Sequence, residues 1–219
     1  MNILFQGDSI TDCGWDRNHK EPNIGLGHGY VNLIASRLNF ESDKYNIYNR
    51  GVSGNRICDM YARWIENTLN IEYDILSILC GINDVGFGLR LNMGADADKF
   101  RFVYDRMIYE ALEKRPGSKL VLLEPFLFRV DLEGKENNNN NNDIYVEWDK
   151  WSGNIRERGV ITKDLAKKYN AIFVPLFDGF EKLSEKFGAD HWSADGIHPS
   201  HAGHEYIARQ WIDCCKEIL

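Results

Sequence analysis

The sequence predicts a three-layer α/β/α domain built on a five-stranded parallel sheet. Five short apolar runs bounded by turn residues read as buried strands, and the stretches between them carry helical spacing. That alternation implies right-handed crossovers, with helices covering both faces of the sheet. The first strand is Asn2 to Gln6, and Tyr30, Leu33, Ile34, Ala35 and Leu38 mark the helix that follows it. Tyr45 to Tyr48 gives the second strand, and Ile57, Met60, Tyr61, Trp64 and Ile65 line one face of the next helix. Ile75 to Cys80 is the third strand, followed by a helix through Phe100, Val103, Met107, Ile108, Ala111 and Leu112. Leu120 to Glu124 and Ile172 to Leu176 are the fourth and fifth strands. Between them, Ile144 to Tyr169 predicts a long helix with a break near Gly153 or Gly159, since glycine is a poor helix former. The last helix starts after Pro199, with Ser200 as N-cap, and buries Ile207, Trp211, Cys214 or Cys215, and Ile218.

The chain of 219 residues, 43% apolar and 27% charged, is expected to form one domain over residues 1–219. A chain of this size buries roughly 70% of its unfolded surface, so neither disorder nor a disulfide-stapled miniature fits. Neither an internal repeat nor a Pro/Gly/Ser linker divides it. Residues 133–143, with six consecutive asparagines from Asn137 to Asn142, predict a mobile surface loop without chemistry of its own. A net charge of −7 without a basic stripe argues against nucleic acid as a partner. No apolar run reaches the ~18 residues that cross a bilayer. The segment after Met1 lacks the basic and long apolar regions of a signal peptide, so a cytoplasmic location is expected. Five cysteines, odd in number and without CxxC spacing, suggest reduced thiols.

In an open parallel sheet the site lies beyond the carboxyl ends of the strands. Gly7-Asp8-Ser9-Ile10-Thr11 places a serine hydroxyl there, at the end of the first strand. Alone, this string is also the composition of an ordinary turn. A serine hydroxyl needs a base to become a nucleophile, and the base needs a carboxylate to fix its tautomer. Asp195-Gly196-Ile197-His198-Pro199 supplies both within one tight loop. After the third strand, Gly81-Ile82-Asn83-Asp84 brings a side-chain amide to the same sheet edge; after the second, Asn49-Arg50-Gly51-Val52-Ser53-Gly54-Asn55 offers a glycine N–H. The N–H groups of Ser9 and Gly54 with the Asn83 amide make a three-donor oxyanion hole, each donor worth about 3 kcal/mol in a hydrolase of another fold.

Taken in order, Gly7-Asp8-Ser9, Ser53-Gly54-Asn55, Gly81-Ile82-Asn83-Asp84 and Asp195-Gly196-Ile197-His198 resemble the SGNH, or GDSL, hydrolases over essentially the whole chain. The resemblance implies a flavodoxin-like fold, Ser9 as nucleophile, His198 as base, Asp195 as its orienter, and Gly54 and Asn83 as oxyanion donors, with no cofactor. The serine near the N-terminus and the lack of a Gly-x-Ser-x-Gly elbow exclude the α/β-hydrolase pattern.

Longer strings, namely Gly7 to Gly14, Gly25 to Val31, Asn49 to Asn55 and Ala62-Arg63-Trp64, resemble the acetylxylan and carbohydrate acetylesterases. That branch implies an acylated sugar as substrate and homo-oligomers as a common assembly. Trp15, Trp148, Trp151 and Trp192 are candidate sugar platforms, Trp192 foremost because it precedes the Asp195 loop; core packing is the alternative for each. Asp8 and Asp84 are expected to hold the turns around Ser9 and Asn83, with direct substrate contact as the alternative. His191, His198, His201 and His204 with Asp195 and Glu205 can also be read as a metal cluster. The His-x-x-His pair lacks the His-Glu-x-x-His form and a triad already uses two of the group, so no metal is expected. Alternatives to the sugar esterase are a lysophospholipase or thioesterase with the same triad, and an inactive carbohydrate-binding relative.

Overall fold

A computed structural model describes residues 1–130 and 148–219. The Asn137–Asn142 run and the first residues of the expected 144–169 helix lie outside the described residues. Strands β1 (Asn2–Gly7), β2 (Asn46–Asn49), β3 (Ile75–Leu79), β4 (Lys119–Leu123) and β5 (Ile172–Val174) form one sheet in the order β2-β1-β3-β4-β5. All four pairings are parallel, with Ile3 opposite Ile47 and Ile75, and Val121 opposite Ile172. The chain runs outward from β1 in both directions, so the ends of β1, β2 and β3 bring three loops together at one edge.

Alternation along the strands divides the core between the two faces. Ile3, Phe5, Ile75, Leu79, Val121 and Leu123 join the cluster covered by α2 (Tyr30–Glu41), α7 (Phe177–Phe187) and α8 (His201–Cys215). Leu4, Leu76, Ile78, Leu120 and Leu122 point the other way, against α3 (Ile57–Ala62) and α5 (Ala97–Lys114). The buried polar side chains within the strands, Gln6, Asn49 and Ser77, are paired. Ser77 Oγ accepts from buried Trp211 Nε1 at 3.0 Å, and the Gln6 amide donates to Asn67 O at 2.6 Å and Thr68 Oγ1 at 2.8 Å.

The structure differs from expectation at several elements. The long helix α6 (Trp148–Lys168) runs unbroken through both glycines. Gly153 has open space around it, whereas at Gly159 a Cβ would lie 3.0 Å from Glu124 Oε1, so that glycine serves close helix-to-sheet approach. The stretch from Ile57 to Ile65 does not bury one continuous face. α3 ends at Ala62, a π turn spans Ile65–Leu69, and Ile65 is 67% exposed while Trp64 is buried. Two helices were not marked by periodicity: α4 (Ile82–Leu91), which contains Gly86 and Gly88, and α7, which follows β5 after two residues. Ser200 caps α8 as expected, its Oγ accepting from Gly203 N at 3.3 Å, and Cys215 rather than Cys214 is fully buried. The five cysteines are free thiols.

Candidate active site

The turn after β1 is shaped by close approach. A Cβ on Gly7 would fall 2.1 Å from Thr11 Oγ1 and 2.6 Å from Leu79 O, so only glycine fits. The chain then enters the one-turn helix α1 (Ser9–Asp12), capped by Asp8, whose Oδ1 accepts from Ile10 N at 3.0 Å. Ser9 is the first residue of this helix, and its N–H therefore has no intrahelical partner.

The loop after the 3-10 turn Ala189–His191 brings Asp195 and His198 to Ser9. Asp195 Oδ1 accepts from Ile197 N and His198 N, each at 2.8 Å, and from Ser193 Oγ at 3.2 Å. Its Oδ2 meets His198 Nδ1 at 2.6 Å, and His198 Nε2 meets Ser9 Oγ at 2.8 Å. One carboxylate oxygen thus holds the loop and the other orients the ring. Burial works to raise the Asp195 pKa, but the imidazole and the two backbone N–H groups outweigh it and hold the carboxyl at about 2. The hydrogen bond to Asp195 raises His198 above the usual histidine value, against burial. A relay of this geometry can withdraw the hydroxyl proton as Ser9 attacks an electrophilic carbon, and stabilise the imidazolium that results.

Gly54 lies at φ +79°, a conformation that favours glycine, and nothing but Phe87 Cζ, at 4.0 Å, would approach its Cβ. Asn83 lies in the first turn of α4, and its amide donates to Asn55 O at 3.1 Å, which sets the amide against the Gly54 loop. Asp84 accepts from Ile57 N with both oxygens, at 3.1 Å each, tying the same loop to α4. Burial raises both Asp8 and Asp84 to about 7. Both carboxyls are buried behind the site, and neither lines the cavity beside Ser9.

That cavity, of about 650 Å³, is walled by Ser9, Asp12, Arg17, His28, His198 and His201 among others. None of the four candidate tryptophans lines it. Trp192 is 7% exposed and sits among Phe180, Phe187 and His191. Trp151 is buried against Gly86, Trp148 packs on Phe177, and Trp15 carries the guanidinium groups of Arg17 and Arg50 over its ring. His191 and Glu205 stand apart from the rest of the six-residue histidine and acid cluster, while His198, His201 and His204 line the cavity. His191 packs beside Trp192, Glu205 pairs with Arg37 and Arg209, and no group that could hold a metal ion occurs among the described residues.

Several residues that build the site were not evident as such in the sequence. Arg63, at the end of α3, donates to Gln6 Oε1 at 2.8 Å, Arg50 O at 2.9 Å, Gly7 O at 3.2 Å and Asn55 Oδ1 at 2.6 Å, so it joins the ends of β1 and β2. Asn49 donates to Thr11 O at 2.7 Å and Leu26 O at 2.9 Å and accepts from Gly51 N at 2.9 Å. Asp12 accepts from Ser53 N at 2.8 Å and Arg17 at 2.6 Å. Arg63 and Asn49 were legible only as parts of the matching strings.

Residues 5–206 match the pattern of the GDSL-like Lipase/Acylhydrolase family. An acetylxylan esterase of Geobacillus stearothermophilus is 31% identical over 215 residues, covering 96% of this chain and 91% of that protein. Among solved structures, a Parabacteroides merdae protein described as GDSL-like lipase superposes with a TM-score of 0.88 at 33% identity, covering 98% of this chain and 95% of that one. The acetylxylan esterase Axe2 of G. stearothermophilus superposes with a TM-score of 0.82 at 28% identity, covering 97% and 93%. A serine-to-alanine and a histidine-to-alanine variant of Axe2 are each described as catalytic mutants.

Proposed function

The chain belongs to the GDSL-like lipase/acylhydrolase family and is a carboxylic ester hydrolase, and from that premise we propose that it is a serine esterase that removes acetyl groups from acetylated xylo-oligosaccharides or related sugars through an acyl-enzyme on Ser9. The observation that carries the reading is the Ser9–His198–Asp195 relay, at 2.8 Å and 2.6 Å. Ser9 Oγ bonds to the acyl carbon while His198 Nε2 takes its proton. The oxyanion is met by the N–H groups of Ser9 and Gly54 and the Asn83 amide. The carbon–oxygen bond to the alcohol then breaks, and the alcohol departs with the proton from His198. Water, deprotonated by His198, attacks the acyl-enzyme, and release of the acid restores Ser9. The acetyl and sugar assignment is supported by the likeness to acetylxylan esterases, one of them 31% identical along almost the whole chain.

The test is hydrolysis of p-nitrophenyl acetate, butyrate and octanoate, and of peracetylated xylose, by the wild type and Ser9→Ala, with phosphonate labelling mapped by mass spectrometry. Expected are activity that needs Ser9 and falls steeply with chain length, sugar deacetylation, and a label on Ser9. Preference for octanoate would replace the sugar reading with a lipid or thioester one. A label on another residue would overturn the mechanism.

A further inference from the structure

We infer that the alcohol half of the ester binds in the cavity over α1 and the start of α8, and that the imidazoles of His28 and His201 hydrogen-bond its sugar hydroxyls. The inference rests on the esterase reading and adds the substrate contacts to it. His198 returns its proton to the departing oxygen, so the alcohol must lie on the side that His198 faces. The cavity beside Ser9 and His198 is lined by Pro199, Ser200 and His201 and by Cys13, Gly14 and His28. Its volume, about 650 Å³, falls within the range of small-molecule sites, roughly 300–1,000 Å³.

Most polar groups in this lining are committed. His204 Nδ1 accepts from Tyr30 N at 3.2 Å, which leaves its proton on Nε2, facing Cys13 Sγ at 3.4 Å. Arg17 is held by Asp12 and by Trp15 O, and Ser200 Oγ donates to His191 O. His28 and His201 differ: both are exposed, and neither side chain hydrogen-bonds to any of the described residues. One stands on the loop entering α2 and the other on the first turn of α8. A neutral imidazole carries one donor and one acceptor, the same complement as a hydroxyl, and two of them suit a ring bearing several hydroxyls. Among the lining residues Ile10 and Pro199 are the aliphatic ones. Since the tryptophans pack elsewhere, recognition falls to these two imidazoles and the exposed Ser53 hydroxyl, which likewise hydrogen-bonds to none of the described residues.

The experiment titrates Ser9→Ala with xylobiose while following the imidazole carbon-bound proton resonances. Saturable shifts of His28 and His201, and at least fivefold weaker binding when His28→Ala and His201→Ala are added, are expected. In the enzyme carrying Ser9, the double substitution should lower kcat/KM for acetylated xylobiose at least fivefold relative to that for p-nitrophenyl acetate, chiefly through KM. Saturation without shifts at these histidines, no saturable binding, or an unchanged ratio would each overturn the inference. Absence of Ser9-dependent turnover would instead count against the esterase reading, and the titration is independent of it.

Discussion

Replacing Asp195 with asparagine tests the relay without dismantling the loop. In Asp195→Asn the amide oxygen can keep the Oδ1 role, accepting from Ile197 N, His198 N and Ser193 Oγ. The NH2 group then faces His198 Nδ1, where the carboxylate stood at 2.6 Å, and forces that nitrogen to accept. The imidazole proton moves to Nε2, and a ring with its proton toward Ser9 cannot take another. The ground-state contribution alone is modest. A carboxyl held at about 2 instead of 3.8 corresponds to about 2 kcal/mol. Because its side chain is 39% exposed, solvent screening leaves about 1 kcal/mol of that as stability. The tautomer effect dominates: in a serine protease of unrelated fold the same exchange costs about 10⁴ in kcat, or about 5 kcal/mol. We expect kcat/KM for p-nitrophenyl acetate to fall 10³- to 10⁴-fold and Tm by about 2–4 °C. The acid limb of the wild-type pH profile, set by a His198 pKa raised by Asp195, should move to lower pH in the variant. Steady-state rates from pH 5 to 9 and a thermal melt measure both. A loss below tenfold, or a collapse of Tm that explains the lost rate, would refute the reasoning.

Asp84 is buried and raised from 3.8 to about 7, so the folded state keeps its proton while the unfolded chain ionises. Its contribution to stability is therefore fully retained below about pH 4, declines as pH rises toward 7, and levels off above. Urea unfolding of the wild type and Asp84→Asn at pH 5 and 8 should show the difference between them shifting by about 2–3 kcal/mol in favour of the variant at pH 8; a constant difference would remove Asp84 from this role. Arg63→Ala leaves the carbonyls of Gly7 and Arg50 without their guanidinium partner and should cost about 2–4 kcal/mol in urea unfolding together with at least a tenfold loss in kcat/KM; unchanged activity would show that the loops hold without it. Trp211→Phe deprives Ser77 of its donor on the buried sheet face and opens a small void, an expected loss of about 2–4 kcal/mol, part of which Ser77→Ala should recover in the double variant.

The strands were legible because each is a short apolar run closed by turn residues, and buried parallel strands need nothing else. α4 was obscured by its glycines, and at Gly86 the reason is tertiary: a Cβ there would meet the Trp151 ring at 2.7 Å. Propensity cannot foresee a packing partner sixty-five positions away. The association of Ser9, His198 and Asp195 could be read because the chemistry demands those residue types at strand ends and in one tight loop. Their supports could not, since Arg63 and Asn49 act on backbone carbonyls contributed by other segments. The tryptophans show the same limit: sequence locates an aromatic near a loop but not the side on which it packs, and Trp192 turned toward Phe180 rather than the cavity.

Ser9 and His198 stand 189 residues apart in the chain. At ribosomal rates of about 5–20 residues per second, roughly 10–40 s separate the synthesis of the hydroxyl from that of its base. Tyr30 N–H and His204 then dock α8 onto α2, and that contact forms only after residue 204 has been made. On the proposed mechanism a chain ended before His198 carries Ser9 without its base, so ester cleavage would report only on chains made past that residue. Restoring activity by adding a peptide spanning the Asp195 loop and α8 to a chain ending before it would time this last docking step directly.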